Sequence, residues 1–91
     1  MSLQDKTKAA SRSALLEMAK AWEKEPGKIQ HAIEAYERVI GIDPESKEAD
    51  EARDALLEIA RRFERVGKKY SACYIYQKMG YGKEGISKRP A

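Results

Sequence analysis

The sequence is poor in cysteine and histidine, and each shortage excludes a class of protein. Its 91 residues include one cysteine and one histidine. A single cysteine excludes an intramolecular disulfide framework and is typical of a reducing compartment, so we expect a cytoplasmic protein. We expect Cys73 to be a small buried apolar residue. One histidine is too few for a histidine-based metal cluster, and we expect His31 on the solvated surface.

Long apolar runs are also missing from the chain. No stretch approaches the roughly 20 apolar residues that span a bilayer, and the first residues do not resemble a signal peptide. Whether Met1-Ser2-Leu3 is native is left open. Charged residues make up 36% of the composition, and there are three prolines and six glycines. This composition favours a helical protein over a sheet protein, and we predict no membrane partner.

Patterns typical of nucleic-acid binding and of catalysis are missing too. The formal net charge is +3, with basic and acidic residues interleaved through most of the chain, whereas nucleic-acid-binding proteins more often carry a one-sided basic stripe. No glycine-rich loop follows a strand, and acidic pairs such as Asp50 and Glu51 suit the first turn of a helix. We predict no nucleic-acid partner, no enzyme activity, no cofactor and no metal.

What the chain does contain is an internal repeat. Residues 13–24 read SALLEMAKAWEK, and residues 54–65, which begin 41 positions later, read DALLEIARRFER. Six of the twelve aligned positions are identical, and four more are conservative replacements. Self-similarity at a fixed period is typical of helical-repeat proteins.

Apolar residues at helical spacing predict four helices. The first helix is expected to begin at Asp5, Thr7 or Ser11 and to end before Pro26. The other three are expected at residues 29–42, 46–66 and 70–79. Ser46 is the expected N-cap of the third helix, which is acidic at its start and basic at its end, as the helix macrodipole favours. The core stripes expected on the first and fourth helices are Leu15, Met18, Ala19 and Trp22, and Ala72, Cys73, Tyr76 and Met79.

Short connections place successive helices antiparallel, so we predict an all-α fold of two tandem helix hairpins. Residues 1–12 are expected to be a partly helical extension. The repeats are expected to cover residues 13–45 and 46–80. Residues 81–91 contain glycines and a proline without helical period, and a flexible tail is predicted there.

These repeats resemble the tetratricopeptide repeat over about residues 13–80. That family has apolar, small and aromatic residues on the first helix of each pair, and a small and an aromatic residue on the second. The residues that carry the resemblance are Leu15, Ala19, Trp22, Gly27, Ala32, Tyr36 and Pro44 in one repeat and Leu56, Ala60, Phe63, Gly67, Ala72 and Tyr76 in the other. The period of 40–41 exceeds the usual ~34, because residues 44–54 lengthen the third helix. The resemblance implies a fragment of an α-solenoid that acts as a scaffold for a protein or peptide.

The resemblance also implies where a partner binds, since the first helix of each pair lines the peptide-binding groove in this family. The groove residues carried over are Leu16, Lys20, Glu23 and Lys24 on the first helix and Leu57, Arg61, Glu64 and Arg65 on the third. Each row has two basic residues four positions apart, and their repulsion would be relieved by an acidic partner. The alternative is an ordinary solvated surface, in which Glu17 and Glu58 already neutralise the rows.

The sequence of the fourth helix predicts a second interaction surface, because the apolar residues of this helix cover more than one of its faces. The residues of this surface are Tyr70, Cys73, Tyr74, Tyr76 and Tyr81. Repeat arrays normally cover each outer face with the next pair, and large apolar patches are rare on monomers. The chain either self-associates here as a homodimer, belongs to a longer array, folds its tail back, or uses the tyrosines merely to shield the third helix. Self-association is the alternative function to peptide binding.

Overall fold

The computed structural model describes residues 3–80, with side chains from residue 7 onward. Within that range it contains helices and turns and no strand, so the all-α prediction is confirmed. The four helices are α1 (Leu3–Glu23), α2 (Ile29–Ile42), α3 (Lys47–Arg65) and α4 (Lys69–Lys78). None of these described helices is long and apolar enough to cross a membrane. The predicted tail, residues 81–91, lies outside the described residues.

The helix boundaries agree closely with prediction except at the start of α1. This helix begins at Leu3, so residues 3–12 of the predicted extension belong to it. The predicted N-cap of α3 is confirmed, because the Ser46 hydroxyl accepts a hydrogen bond from the Ala49 amide at 3.1 Å. The same hydroxyl donates to the Asp43 carbonyl at 2.8 Å. The cap therefore satisfies one of the amides that the first turn of a helix leaves without a partner.

A glycine in the left-handed conformation lies in the turn of each helix pair. Gly27 has a φ of 83° and Gly67 a φ of 82°. At the second turn, the Lys68 amide donates to the Phe63 carbonyl at 2.8 Å and the Gly67 amide donates to the Glu64 carbonyl at 3.1 Å. These are the two hydrogen bonds of a Schellman C-cap. Because other residues are strained at such φ values, the conformation explains why glycine recurs at the same place in both repeats.

The chain divides into two compact units, Met1–Asp54 (unit 1) and Ala55–Ala91 (unit 2). Unit 1 contains α1, α2 and the first turns of α3, whereas unit 2 contains the rest of α3 and α4. The predicted repeats meet in the loop at residues 45 and 46. The division into compact units falls inside α3, and the first turns of α3 form ion pairs with α1.

The core of unit 1 lies where α1, α2 and the start of α3 meet. Its buried residues are Leu16, Ala19, Ala32, Ile33, Ala35, Tyr36, Val39, Ala49 and Ala52. The fully buried Ala19 and Ala32 have small side chains, which allow α1 and α2 to pack closely. Trp22 near the end of α1 contacts His31 near the start of α2, with ring centroids 5.4 Å apart. This contact beside the turn fits an antiparallel hairpin.

The buried stripe of α1 differs in register from the predicted one. Leu16 and Ala19 are buried, whereas Met18 is exposed and Leu15 and Trp22 are half-buried. The expectation that Leu15, Met18 and Trp22 form the core was therefore wrong. The physical reason is that α1 contacts α3 as well as α2, which places Leu16 on the side that is covered.

The core of unit 2 is smaller. Its buried residues are Leu56, Ile59, Ala60, Ala72 and Ile75. Cys73 is exposed, so the expectation of a buried cysteine was wrong. The buried stripe of α4 follows Ala72 and Ile75, with Tyr76 and Met79 half-buried. Cys73 lies about 100° around the helix from Ala72, which turns its thiol away from this stripe.

Each unit contains the same side-chain hydrogen bond between its two helices. In unit 1 the Tyr36 hydroxyl donates to Glu23 Oε1 at 2.6 Å. In unit 2 the Tyr76 hydroxyl donates to Glu64 Oε1 at 2.9 Å. Glu23 and Glu64 are 41 positions apart, and Tyr36 and Tyr76 are 40 apart. The recurrence supports two hairpins built on one plan.

Candidate interaction surfaces

The α1 row, which consists of Leu16, Lys20, Glu23 and Lys24, is largely used inside unit 1. Leu16 is 5% exposed, so it packs in the core instead of facing a partner, which corrects its predicted place in a groove. Glu23 accepts the Tyr36 hydrogen bond. Lys20 Nζ lies 2.8 Å from Glu51 of α3. Lys24 is exposed.

The pairing of Lys20 with Glu51 carries an electrostatic signature. The hydrogen bond to Glu51, reinforced by its charge, raises the pKa of Lys20 above its ordinary value of 10.5. Glu17, the residue that the solvated-surface alternative pairs with Lys20, lies farther away at 3.9 Å. Lys20 therefore interacts mainly with a carboxylate on another helix of unit 1.

Sequence reasoning missed Arg12, which makes a second link between α1 and the start of α3. Its guanidinium lies 3.1 Å from Glu48 and 3.6 Å from Asp43. A hydrogen bond from the residue's own backbone amide, followed by the Arg12 bond, lowers the pKa of Glu48 below 4.5. A signal for this contact was present, since Arg12, Leu16 and Lys20 are four residues apart and share one helix face.

The α3 row, which consists of Leu57, Arg61, Glu64 and Arg65, has the same residue types in unit 2 but a different environment. Leu57 is half-buried, and the Arg61 and Arg65 side chains are 57% and 63% exposed. Both guanidinium groups lie near Glu58 of the same helix, at 3.5 and 3.8 Å. Two guanidinium groups share one carboxylate, and exposed ion pairs within one helix are weak.

Local composition increases this difference between the rows. Residues 17–28 around the α1 row contain three basic and three acidic residues. The aligned residues 58–69 around the α3 row contain five basic and two acidic residues. The α3 row therefore lies in the more basic part of the repeat, where it can attract a negatively charged segment.

The predicted self-association residues of α4 are only partly brought together. Tyr70 is 92% exposed, and Cys73 and Tyr74 are also exposed. Tyr70, Cys73 and Tyr74 share a face because they are three and four positions apart, and we call them the α4 face. Tyr76 is instead half-buried, and burial, followed by the Glu64 hydrogen bond, raises the pKa of its phenol above 10.0. Tyr81 lies outside the described residues.

A shallow cavity of about 200 Å³ lies on unit 1, on the side of α1 that was predicted to be core. It is lined by the apolar residues Leu15, Met18, Trp22 and Ala35 and by His31, Glu34 and Arg38. His31 is exposed, as predicted. Across the part of the chain that the structure describes, no group of three acidic, histidine or cysteine residues could hold a metal ion.

A comparison of the chain with protein-family models, curated proteins and solved structures finds no match. The geometry of the described residues is therefore the basis for a functional proposal.

Proposed function

We propose that this chain is a non-catalytic helical-repeat scaffold of the tetratricopeptide kind, which acts in the cytoplasm. Its partner is a protein segment that combines acidic and apolar residues. The binding surface is centred on the α3 row, since three of the four residues of the α1 row are engaged within unit 1.

The observation that carries the proposal is the contrast between Lys20 and Arg61, which hold equivalent positions in the repeat. Lys20 forms a 2.8 Å ion pair with Glu51 of another helix. Arg61 is more exposed and lies 3.5 Å from Glu58 of its own helix. The half-buried Leu57 beside it offers apolar surface next to the positive charge, which suits an acidic segment with an apolar residue.

A binding assay with charge-reversed variants tests the proposal. A fluorescein-labelled peptide with alternating glutamate and leucine residues is titrated with the chain, and fluorescence anisotropy is measured. Arg61→Glu/Arg65→Glu is expected to weaken binding about tenfold or more, because two attractive charges become repulsive. Binding should also weaken with salt, since exposed charges are screened over about 8–10 Å.

The matched control is Lys8→Glu/Arg38→Glu, which changes the net charge by the same amount at exposed positions of α1 and α2. We expect it to change the affinity by less than about threefold. Equal weakening by both double variants would mean that the peptide responds to overall charge, and the proposal would fail. Absence of binding to the parent chain at low salt would also refute it.

A second candidate, from a different class of function, is self-association through the α4 face. The observation that favours it is the exposure of Tyr70, Cys73 and Tyr74 together. Sedimentation velocity across concentration tests it: a constant dimer that Tyr74→Glu splits, and that does not bind acidic peptides, supports this candidate. Slower reaction of Cys73 with a thiol reagent at high protein concentration would give independent support.

A further inference from the structure

Unit 1 contains an example of how a row of this kind binds an acidic segment. Residues 43–54 span the loop before α3 and its first turns, and they include six acidic and two basic residues. Glu48 and Glu51, which are three positions apart, lie against Arg12 and Lys20 of α1 at 3.1 and 2.8 Å. The helix start is thus held on α1 by two ion pairs between different helices.

Small buried residues lie next to these ion pairs along α3. Ala49 and Ala52 follow the two glutamates directly and are fully buried, and Leu16 of α1 is 5% exposed. Alanine side chains let a helix approach a neighbouring surface closely, so that the glutamates beside them reach the basic groups. The pattern Glu-Ala-x-Glu-Ala therefore combines a close apolar approach with two carboxylates one turn apart.

The α3 row repeats part of the receiving side of this contact 41 positions later. Leu57 corresponds to Leu16, and Arg61 corresponds to Lys20. Arg53, which corresponds to Arg12, is already paired with Asp50 of its own helix at 2.7 Å. The second exposed cation of the α3 row is therefore Arg65, one turn beyond Arg61. The leucine is less buried than its counterpart, and Arg61 and Arg65 are more than half exposed. A surface with the same chemistry and a higher positive charge is thus left open on unit 2.

We infer that the α3 row binds the start of an α-helix that carries the pattern Glu-Ala-x-Glu-Ala, with the alanines against Leu57 and the glutamates near Arg61 and Arg65. This inference rests on the proposed function and adds the conformation and residue spacing of the partner. The partner belongs to another protein, because residues 43–54 of a second copy are already engaged by the α1 of that copy.

A peptide with the sequence of residues 43–54, DPESKEADEARD, acetylated and amidated at its ends, is the probe. It keeps the Ser46 cap, although helices of this length are marginal in water, so weak binding is expected. A scrambled peptide of identical composition is the control. Chemical-shift changes in the ¹⁵N-labelled 91-residue chain locate the binding site, and transferred NOEs report the conformation of the bound peptide.

The expected result is a helical bound peptide, shift changes at residues 57–65, and binding that the scrambled sequence weakens about tenfold. Arg61→Glu/Arg65→Glu should remove these changes, whereas Lys8→Glu/Arg38→Glu should not. Equal binding of the scrambled peptide would overturn the inference and leave the proposed function standing. Failure of both peptides, and of the glutamate–leucine peptide, would overturn both proposals.

Two further outcomes would overturn the inference. Shift changes at Arg12 and Lys20, instead of at residues 57–65, would show that the peptide exchanges with the internal segment on α1. A concentration-dependent dimer whose formation Arg61→Glu/Arg65→Glu prevents would show that a second copy, and not a separate protein, occupies the α3 row.

Discussion

Leu16 and Leu57 hold the same position in the repeated segment, yet Leu16 is 5% exposed and Leu57 is only half-buried. The basic residues four positions later differ in the same sense. Lys20 forms an ion pair with another helix, whereas Arg61 pairs within its own helix. Two helices that carry similar repeated segments therefore differ in what covers them. The comparison teaches that the neighbour of a helix face, as much as its own sequence, decides whether that face is core or surface.

The segment next to the α1 row, residues 43–54, has a distinctive composition. Residues 43–54 concentrate acidic side chains beside alanines, so they can pair with Arg12 and Lys20 while packing closely. The region around the α3 row has more basic than acidic residues. The same residue pattern is thus engaged within the fold in unit 1 and more exposed to solvent in unit 2.

The largest expected effect comes from truncating the two equivalent leucines. Leu16→Ala should lower the free energy of unfolding by about 2–4 kcal/mol, because it leaves a cavity in a buried site. Leu57→Ala should lower it by about 1 kcal/mol, since that side chain is partly solvated already. Urea denaturation followed by circular dichroism measures both values, and the fluorescence of Trp22 reports unit 1 separately.

Met18→Ala is the control for the leucine pair, because Met18 is an exposed apolar residue of the same helix. We expect a loss below about 1 kcal/mol for it. Equal losses for Leu16→Ala and Leu57→Ala would break the comparison, since the two rows would then be equally covered.

The second prediction uses the tyrosine–glutamate hydrogen bond that occurs in both units. Tyr36→Phe should lower the free energy of unfolding by about 1.5 kcal/mol, because its hydroxyl donates to a carboxylate from a buried ring. Tyr76→Phe should cost about 0.5 kcal/mol, because its bond to Glu64 is exposed to solvent. Thermal unfolding of the two variants measures the difference, and a larger loss for Tyr76→Phe would contradict the view that unit 1 is the better covered.

Local features of the fold could be predicted from the sequence, whereas the choice of buried face could not. Ser46 and Gly67 act through hydrogen bonds and backbone conformations of their own segments, so the residue type suffices to predict a cap or a turn. Leu15, Leu16 and Met18 are all apolar and cover a wide arc of α1. Which of them is buried depends on where residues 43–54 dock, and this tertiary contact has no local signature in α1.

The same reasoning applies to the candidate surfaces. The exposure of Arg61 could be predicted, because a charged residue off the apolar stripe faces water unless a partner covers it. The engagement of Lys20 could not, because it required knowing that Glu51 lies opposite. Cys73 was expected in the core of α4, but the buried face of that helix carries Ala72 and Ile75.

The third prediction concerns the pKa of Glu48 and tests the ion pair that this residue forms with Arg12 of α1. The pKa of Glu48 is lowered from 4.5, first by its own backbone amide and then by Arg12. A lowered pKa in the folded state stabilises the fold at pH values above 4.5, and this stabilisation is lost as pH falls through the folded-state value. Side-chain NMR titration of Arg12→Gln should therefore give a Glu48 pKa closer to 4.5 that still lies below it. A Glu48 pKa that is unchanged by Arg12→Gln would mean that Arg12 does not stabilise the ionised carboxylate.

The smallest expected effect is that of Arg61→Glu on stability, which we predict to be within about 0.5 kcal/mol, as for most exposed surface charges. Lys20→Glu should lower the melting temperature further, because it places a third carboxylate near Glu17 and Glu51. Adding salt should shrink this difference between the two variants, since screening weakens the new repulsion. Differential scanning calorimetry at low and high salt measures all four melting temperatures. If Arg61→Glu proved as destabilising as Lys20→Glu, the α3 row would already be engaged within the fold, and a surface that is engaged in this way could not serve a partner.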